Sequence, residues 1–152
     1  MSLKLYLDVC CFNRPYDDPS QDRIRLESEA VLLILKRVEH GSLELVSSDV
    51  VNYEIGRTTD LNRRDRMLAL TKTATRYVKL SSVETERAVA IQEMGFDNFD
   101  ALHLACAEAG VAEFFLSTDK NLVTRASKVS NRLRVQVANP LNWLTEMTSD
   151  EH

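Results

Sequence analysis

The sequence predicts an α/β fold in three layers, α/β/α, with helices on both faces of a central, mostly parallel sheet. Two observations predict it. Short apolar runs rich in β-branched and aromatic residues alternate along the chain with longer segments of helical periodicity. That alternation is what strand–helix–strand crossovers in a covered parallel sheet require. The chain also has the size and makeup of one packed core, with 152 residues, of which 44% are hydrophobic and 28% charged. Four glycines and three prolines leave no room for a long flexible linker. One domain over residues 1–147, with a short tail at 148–152, is the expected organisation.

In chain order, Leu3–Leu7 is too short and too apolar for a surface helix and reads as the first strand. Helical spacing then runs from Asp22 to His40, with Gly41 as its C-terminal stop. Its apolar set (Ile24, Leu26, Ala30, Val31, Leu32, Leu33, Ile34, Leu35 and Val38) is wider than one stripe against a sheet needs. Full burial inside this domain is the favoured explanation, and a contact with a second copy or another protein is the alternative. Leu43–Val46 is the second strand, followed by a short helix over Asp49–Gly56 that Ser48 or Asp49 can cap. Helices are expected over Arg63–Ala74, over Val83–Met94 closed by Gly95, and over Asn98–Glu108 closed by Gly110. Phe114–Leu116 is a strand, Asn121–Lys128 a helix, and Leu133–Val137 the last strand.

The net charge of −4 argues at first against a polyanionic partner, but the charge is segregated. Between Arg57 and Lys79 stand seven basic and two acidic residues, +5 in that stretch against −9 elsewhere. A solvated helix face and a rim that guides a polyanion towards an acidic pocket are the two readings. No run approaches the roughly 20 apolar residues that span a bilayer, and the opening MSLKLYLDV lacks the layout of a signal peptide. A cytoplasmic protein without membrane contact is expected. The three cysteines, Cys10, Cys11 and Cys106, have no spacing suited to a disulfide framework or a zinc site and read as reduced, small hydrophobes.

Chemistry is carried by carboxylates. In an open parallel sheet, ligands bind beyond the carboxyl ends of strands, and two acids stand there: Leu3–Leu7 runs into Asp8, and Phe114–Thr118 runs into Asp119. A carboxylate beside apolar neighbours is costly to desolvate unless it is protonated, hydrogen-bonded or bound to a cation. Helix capping is the competing role for each. Asp100 lies in the first turn of its helix behind Asp97 or Asn98 as N-cap, and the small residues Ala101, Ala105, Ala107 and Ala109 allow that helix to approach the sheet closely. His103 follows on the same side and ranks as a supporting residue at most. Glu54 shares one side of its short helix with Val50 and Val51, an unusual setting for a surface glutamate.

Taken together, an aspartate after the first strand, Glu54 on a helix a third of the way along, Asp-Ala-Leu-His-Leu-Ala opening a late helix at Asp100, and Ser-Thr-Asp-Lys-Asn at 117–121 resemble the PIN-domain family over nearly the whole chain. The resemblance implies a parallel sheet sandwiched by helices, Asp8, Glu54, Asp100 and Asp119 converging on Mg2+ or Mn2+, and RNA as the substrate. It also implies kinship with VapC-like toxins, many of which pair with an antitoxin protein. Val9 stands where many relatives carry a small hydroxyl residue, while the Asp8 carboxylate is kept. On this reading Asp8, Asp100 and Asp119 are metal ligands, and Glu54 either ligates a second ion or orients the attacking water. Asp97 is peripheral, and Thr118 and Asn121 are accessory groups able to hydrogen-bond the carboxylates or water. Arg14, Arg57, Arg63 and Arg64 are candidates for substrate phosphates, although local pairing with Asp17 or Asp18 is favoured for Arg14.

Other classes fit less well. A receiver-like signalling domain wants an acidic pair after the first strand and an aspartate at the end of the second, where Leu45-Val46-Ser47-Ser48 has none. A haloacid-dehalogenase-type phosphatase needs Asp-x-Asp, which Asp8-Val9-Cys10 breaks. The serious rival is a non-catalytic binding module on the same fold, because fold does not fix function.

Overall fold

Five parallel strands form one sheet in the computed structural model, which describes residues 2–149. They are β1 (Leu3–Leu7), β2 (Leu43–Ser48), β3 (Arg76–Val78), β4 (Phe114–Leu116) and β5 (Gln136–Ala138), in the order β3-β2-β1-β4-β5. Eight α-helices are present among the described residues: α1 (Val9–Asn13), α2 (Asp22–Glu39), α3 (Asp49–Gly56), α4 (Leu61–Thr71), α5 (Ser82–Glu93), α6 (Asn98–Ala109), α7 (Lys120–Lys128) and α8 (Pro140–Ser149). The architecture is the expected three-layer α/β/α arrangement.

Strand register divides the core between two faces. Tyr6 lies opposite both Val46 and Phe115, and these three side chains meet α6, which packs on α5. Leu5, Leu7, Leu45 and Leu116 alternate to the other face, where α2 packs with α8. β1 is buried on both faces, as befits the central strand of a parallel sheet.

Several expectations are corrected. β3 was not foreseen: its three residues sit at the sheet edge, largely exposed, so they carry no apolar run. The last strand is Gln136–Ala138 rather than Leu133–Val137, because Leu133 and Val135 pack before the ladder begins, behind a 3-10 turn at Ser130–Arg132. α1 is only five residues long, below what periodicity can detect, and a 3-10 turn at Arg14–Tyr16 follows it. α8 was also missed. Asn139 accepts the backbone N–H groups of Leu141 and Asn142, and Pro140, Trp143 and Leu144 are buried. This helix runs to Ser149, so the first residues of the expected tail at 148–152 are helical, and 150–152 lie outside the described residues.

α2 buries Ala30, Val31, Ile34, Leu35 and Val38 but leaves Leu26, Leu32 and Leu33 exposed beside Arg25, Glu29 and Lys36. Full burial of its wide apolar set is therefore corrected. Gly41 and Gly95 take the left-handed conformation expected of helix stops, but Gly110 does not: its φ is −79°, and Val111 adopts φ 59° instead. Gly110 is small for another reason. A Cβ there would stand 2.5 Å from Val46 Cγ1, so it is the residue at which α6 touches β2.

Candidate metal centre at the sheet switch point

β1 has β2 on one side and β4 on the other, so the chain leaves the centre of the sheet in opposite directions from neighbouring strands. A crevice at such a switch point, beyond the strand carboxyl ends, is where open α/β sheets bind ligands. Asp8 follows β1 directly. It is buried, caps α1 by accepting the Val9 N–H at 2.8 Å, and accepts the Ser117 hydroxyl on its other oxygen at 2.8 Å. Burial raises its pKa above the ordinary aspartate value, opposed by His103 and the Ser117 hydrogen bond and reinforced by Glu54. The Ser117 hydroxyl thus reaches Asp8 from the residue that follows β4.

Glu54 on α3 and His103 on α6 meet Asp8 from the α6 side of the sheet. One ligand atom from each of these three residues lies within 4.8 Å of the others. His103 is fully buried, with Nε2 3.2 Å from Glu54 Oε1 and Nδ1 2.7 Å from the Tyr6 hydroxyl. A carboxylate only accepts, so Nε2 carries a proton and donates it to Glu54. Burial pushes the Tyr6 pKa well up, so the hydroxyl keeps its proton, and its oxygen lies 2.8 Å from Ser48 Oγ. Ser48 in turn caps α3 through the Val51 N–H. A single chain of hydrogen bonds therefore runs from the cap of α3 through β1 and α6 and returns to Glu54 on α3.

Asp100 and Asp119 stand outside that trio of ligand atoms and join it through charge. The Asp100 carboxyl is pushed up to about 7, first by burial and then by Asp8, Asp97 and Asp119, with His103 opposing. Asp97 caps α6 by accepting the Asp100 N–H, and Asp119 caps α7 by accepting the N–H groups of Asn121 and Leu122. Asp119 also donates its own N–H to Ser117 Oγ at 3.0 Å, which links it to Asp8 through one hydroxyl. Capping and clustering thus coexist in Asp8, Asp97 and Asp119. Thr118 is buried with its N–H on Cys10 Sγ, and Asn121 is exposed at the start of α7. All three cysteines are free.

Three of the four candidate arginines are tied locally. Arg14 pairs with Asp17 and with the buried Glu27, Arg63 with Asp17 and the Asn13 carbonyl, and Arg64 with its neighbour Asp65. Arg14 and Arg63 nonetheless line an open cleft of about 400 Å³ that also takes in Cys10. Arg57 instead lies over the rings of Tyr53 and Phe99. Reasoning from residue types overlooked Tyr6 and Ser117, whose hydroxyls meet His103 and Asp8. Their roles depend on the register of β1 with β4 and on the docking of α6, which no local pattern encodes.

No protein-family model matches the chain, and no curated protein is similar to it. Among solved structures it is similar to VapBC2 from Rickettsia felis bound to a DNA fragment from its promoter. The TM-score is 0.58 at 12% identity, covering 90% of this chain and 98% of that one. At that identity the likeness is one of fold.

Proposed function

We propose that the protein is a divalent-metal-dependent nuclease that hydrolyses RNA phosphodiester bonds at the cluster of Asp8, Glu54, Asp100 and Asp119. The observation that carries this reading is the convergence of Asp8, Glu54 and His103 within 4.8 Å at the switch point, with the Asp100 carboxyl raised to about 7 by burial and then by the surrounding carboxylates. Like charges gathered in a half-buried crevice are costly without a counter-cation, and an oxygen-rich, acidic donor set suits a hard ion such as Mg2+ or Mn2+. Asp8, Asp100 and Asp119 would hold it, and it would supply Lewis acidity to activate water and offset charge building at phosphorus. His103 holds Glu54 from one side and leaves it 32% exposed, so Glu54 can orient the attacking water or ligate a second ion. Thr118 and Asn121, on either side of Asp119 in the sequence, are its proposed accessory groups.

The fold likeness to VapBC2 supports the kinship with VapC-like PIN proteins, and an antitoxin-like protein partner belongs to the same proposal. A homodimer through Leu26, Leu32 and Leu33 of α2 is part of it too, and light scattering showing a monomer at high concentration would remove that element. The test of the activity is a panel of fluorescent RNAs with Mg2+ or Mn2+. The wild type cleaves, and Asp8→Asn and Asp100→Asn each lose about 100-fold or more, in line with removing a charge-stabilising group. Cleavage untouched by both substitutions would take the activity away from this cluster, and a wild type that does not cleave would leave a non-catalytic binding module as the function.

A further inference from the structure

α3 and α6 carry more than carboxylates. Tyr53 immediately precedes Glu54, and Phe99 immediately precedes Asp100; their rings stack across the two helices with centroids 6.0 Å apart and planes 15° apart. Tyr53 is 60% exposed, an unusual position for an aromatic ring unless something covers it. Beside the pair lies an almost wholly apolar groove of about 390 Å³, lined by Asp49, Val50, Tyr53, Leu80, Phe99 and Leu102. Arg57, one helical turn beyond Tyr53, holds its guanidinium 5.9 Å from the Tyr53 centroid and 5.7 Å from that of Phe99. Whereas Arg14, Arg63 and Arg64 are committed to acids, Arg57 forms no ion pair among the described residues.

We infer that Tyr53 and Phe99 form a stacking platform for a nucleobase of single-stranded RNA adjoining the scissile phosphate, with Arg57 answering the backbone charge. Bases present a π face whatever their identity, and aromatic platforms flanked by cations are how unpaired nucleotides are held without sequence reading. An apolar groove alone would suit a protein segment equally. What favours the base is a cation over the rings that forms no ion pair among the described residues, together with the place of each ring one residue before a carboxylate of the site on the same helix. The platform thus orients a single strand so that its next phosphate meets Glu54 and Asp100. It rests on the nuclease reading and adds to it a subsite, the place where the base next to the cut is held.

The experiment uses a short single-stranded oligoribonucleotide carrying one 2-aminopurine, titrated with full-length protein in EDTA, followed by the same mixture with Mn2+. Stacking quenches the probe in the wild type and in Tyr53→Phe. Tyr53→Leu, which keeps apolar bulk on an exposed site, loses the quench and binds about 10-fold more weakly or worse, the scale of one lost base stack. Arg57→Gln also weakens binding and lowers the salt dependence by about one ion. Undiminished affinity and quenching in Tyr53→Leu, at an unchanged melting temperature, overturns the platform and leaves the groove to an apolar protein segment. If the wild type still cleaves the oligonucleotide with Mn2+, that result touches the platform alone. A wild type that neither binds nor cleaves overturns the nuclease reading and the platform together.

Discussion

The Asp100 carboxyl, raised to about 7 by burial and by Asp8, Asp97 and Asp119, links the site to stability. An acid whose folded-state pKa lies above its unfolded value of about 4 holds more protons when folded, so the protein in EDTA loses stability as pH rises from about 4 to about 7. Its melting temperature is therefore expected to be higher near pH 5 than near pH 7.5, by about 3 °C or more, with Mn2+ restoring the loss at the higher pH. Asp100→Asn flattens the dependence, and scanning calorimetry against pH checks both. Metal affinity follows the opposite slope, rising as Asp100 gives up its proton. Tyr6 offers a second test. Tyr6→Phe keeps the stack on Phe115 but removes the hydroxyl between Ser48 and His103, which leaves the buried imidazole unsatisfied at a cost of about 1–3 kcal/mol. It lowers cleavage by about 10-fold, as loss of a ligand-orienting partner does, and paired melting and kinetic measurements separate the two effects. At this scale Asp8 and Glu54 were legible, because a carboxylate among apolar neighbours is conspicuous in the sequence. Ser117 and Tyr6 were not, since an ordinary serine and a core tyrosine gain their roles only from partners about a hundred residues away.

Elements are held at the site by a few close approaches. α6 brings Asp100 and His103 to the sheet because Gly110 lets its far end touch Val46 and Val78. Gly110→Ala puts a methyl into that contact and costs about 1–3 kcal/mol by overpacking, read as a lower urea midpoint at unchanged slope. On the other face Glu27, whose side chain is 1% exposed, takes Arg14, Arg23 and the Asn139 amide, and so ties α2 to the turn after α1 and to the cap of α8. Glu27→Ala leaves Arg14 with Asp17 as its remaining acidic partner. Removing one partner of a buried pair costs about 3–5 kcal/mol, less here because Arg14 and Arg23 are partly solvated. The helical periodicity that announced α2 and the cap signals at Ser48 and Asp97 rest on local chemistry and were readable. β3, by contrast, exists because the edge of β2 offers it a ladder at Arg76–Val78, a fact about β2 rather than about Arg76-Tyr77-Val78.

For the whole molecule, the order β3-β2-β1-β4-β5 makes the centre of the sheet the place where its two halves part, and the acidic cluster occupies that opening. The fold class was legible because alternation of strands and helices survives errors in any one boundary. Charge was less so: a net −4 conceals a basic stretch from Arg57 to Lys79, part of which is spent on Asp17 and Asp65 rather than on a partner. At the root of the proposed function is a divalent cation shared by side chains distant in sequence at the carboxyl ends of β1 and β4. Isothermal titration of Mn2+ into the wild type and Asp8→Asn tests it most directly. The account predicts saturable binding to the wild type at neutral pH and affinity at least about 10-fold weaker in the variant; equal affinity in the two proteins, or no binding to the wild type, would contradict it.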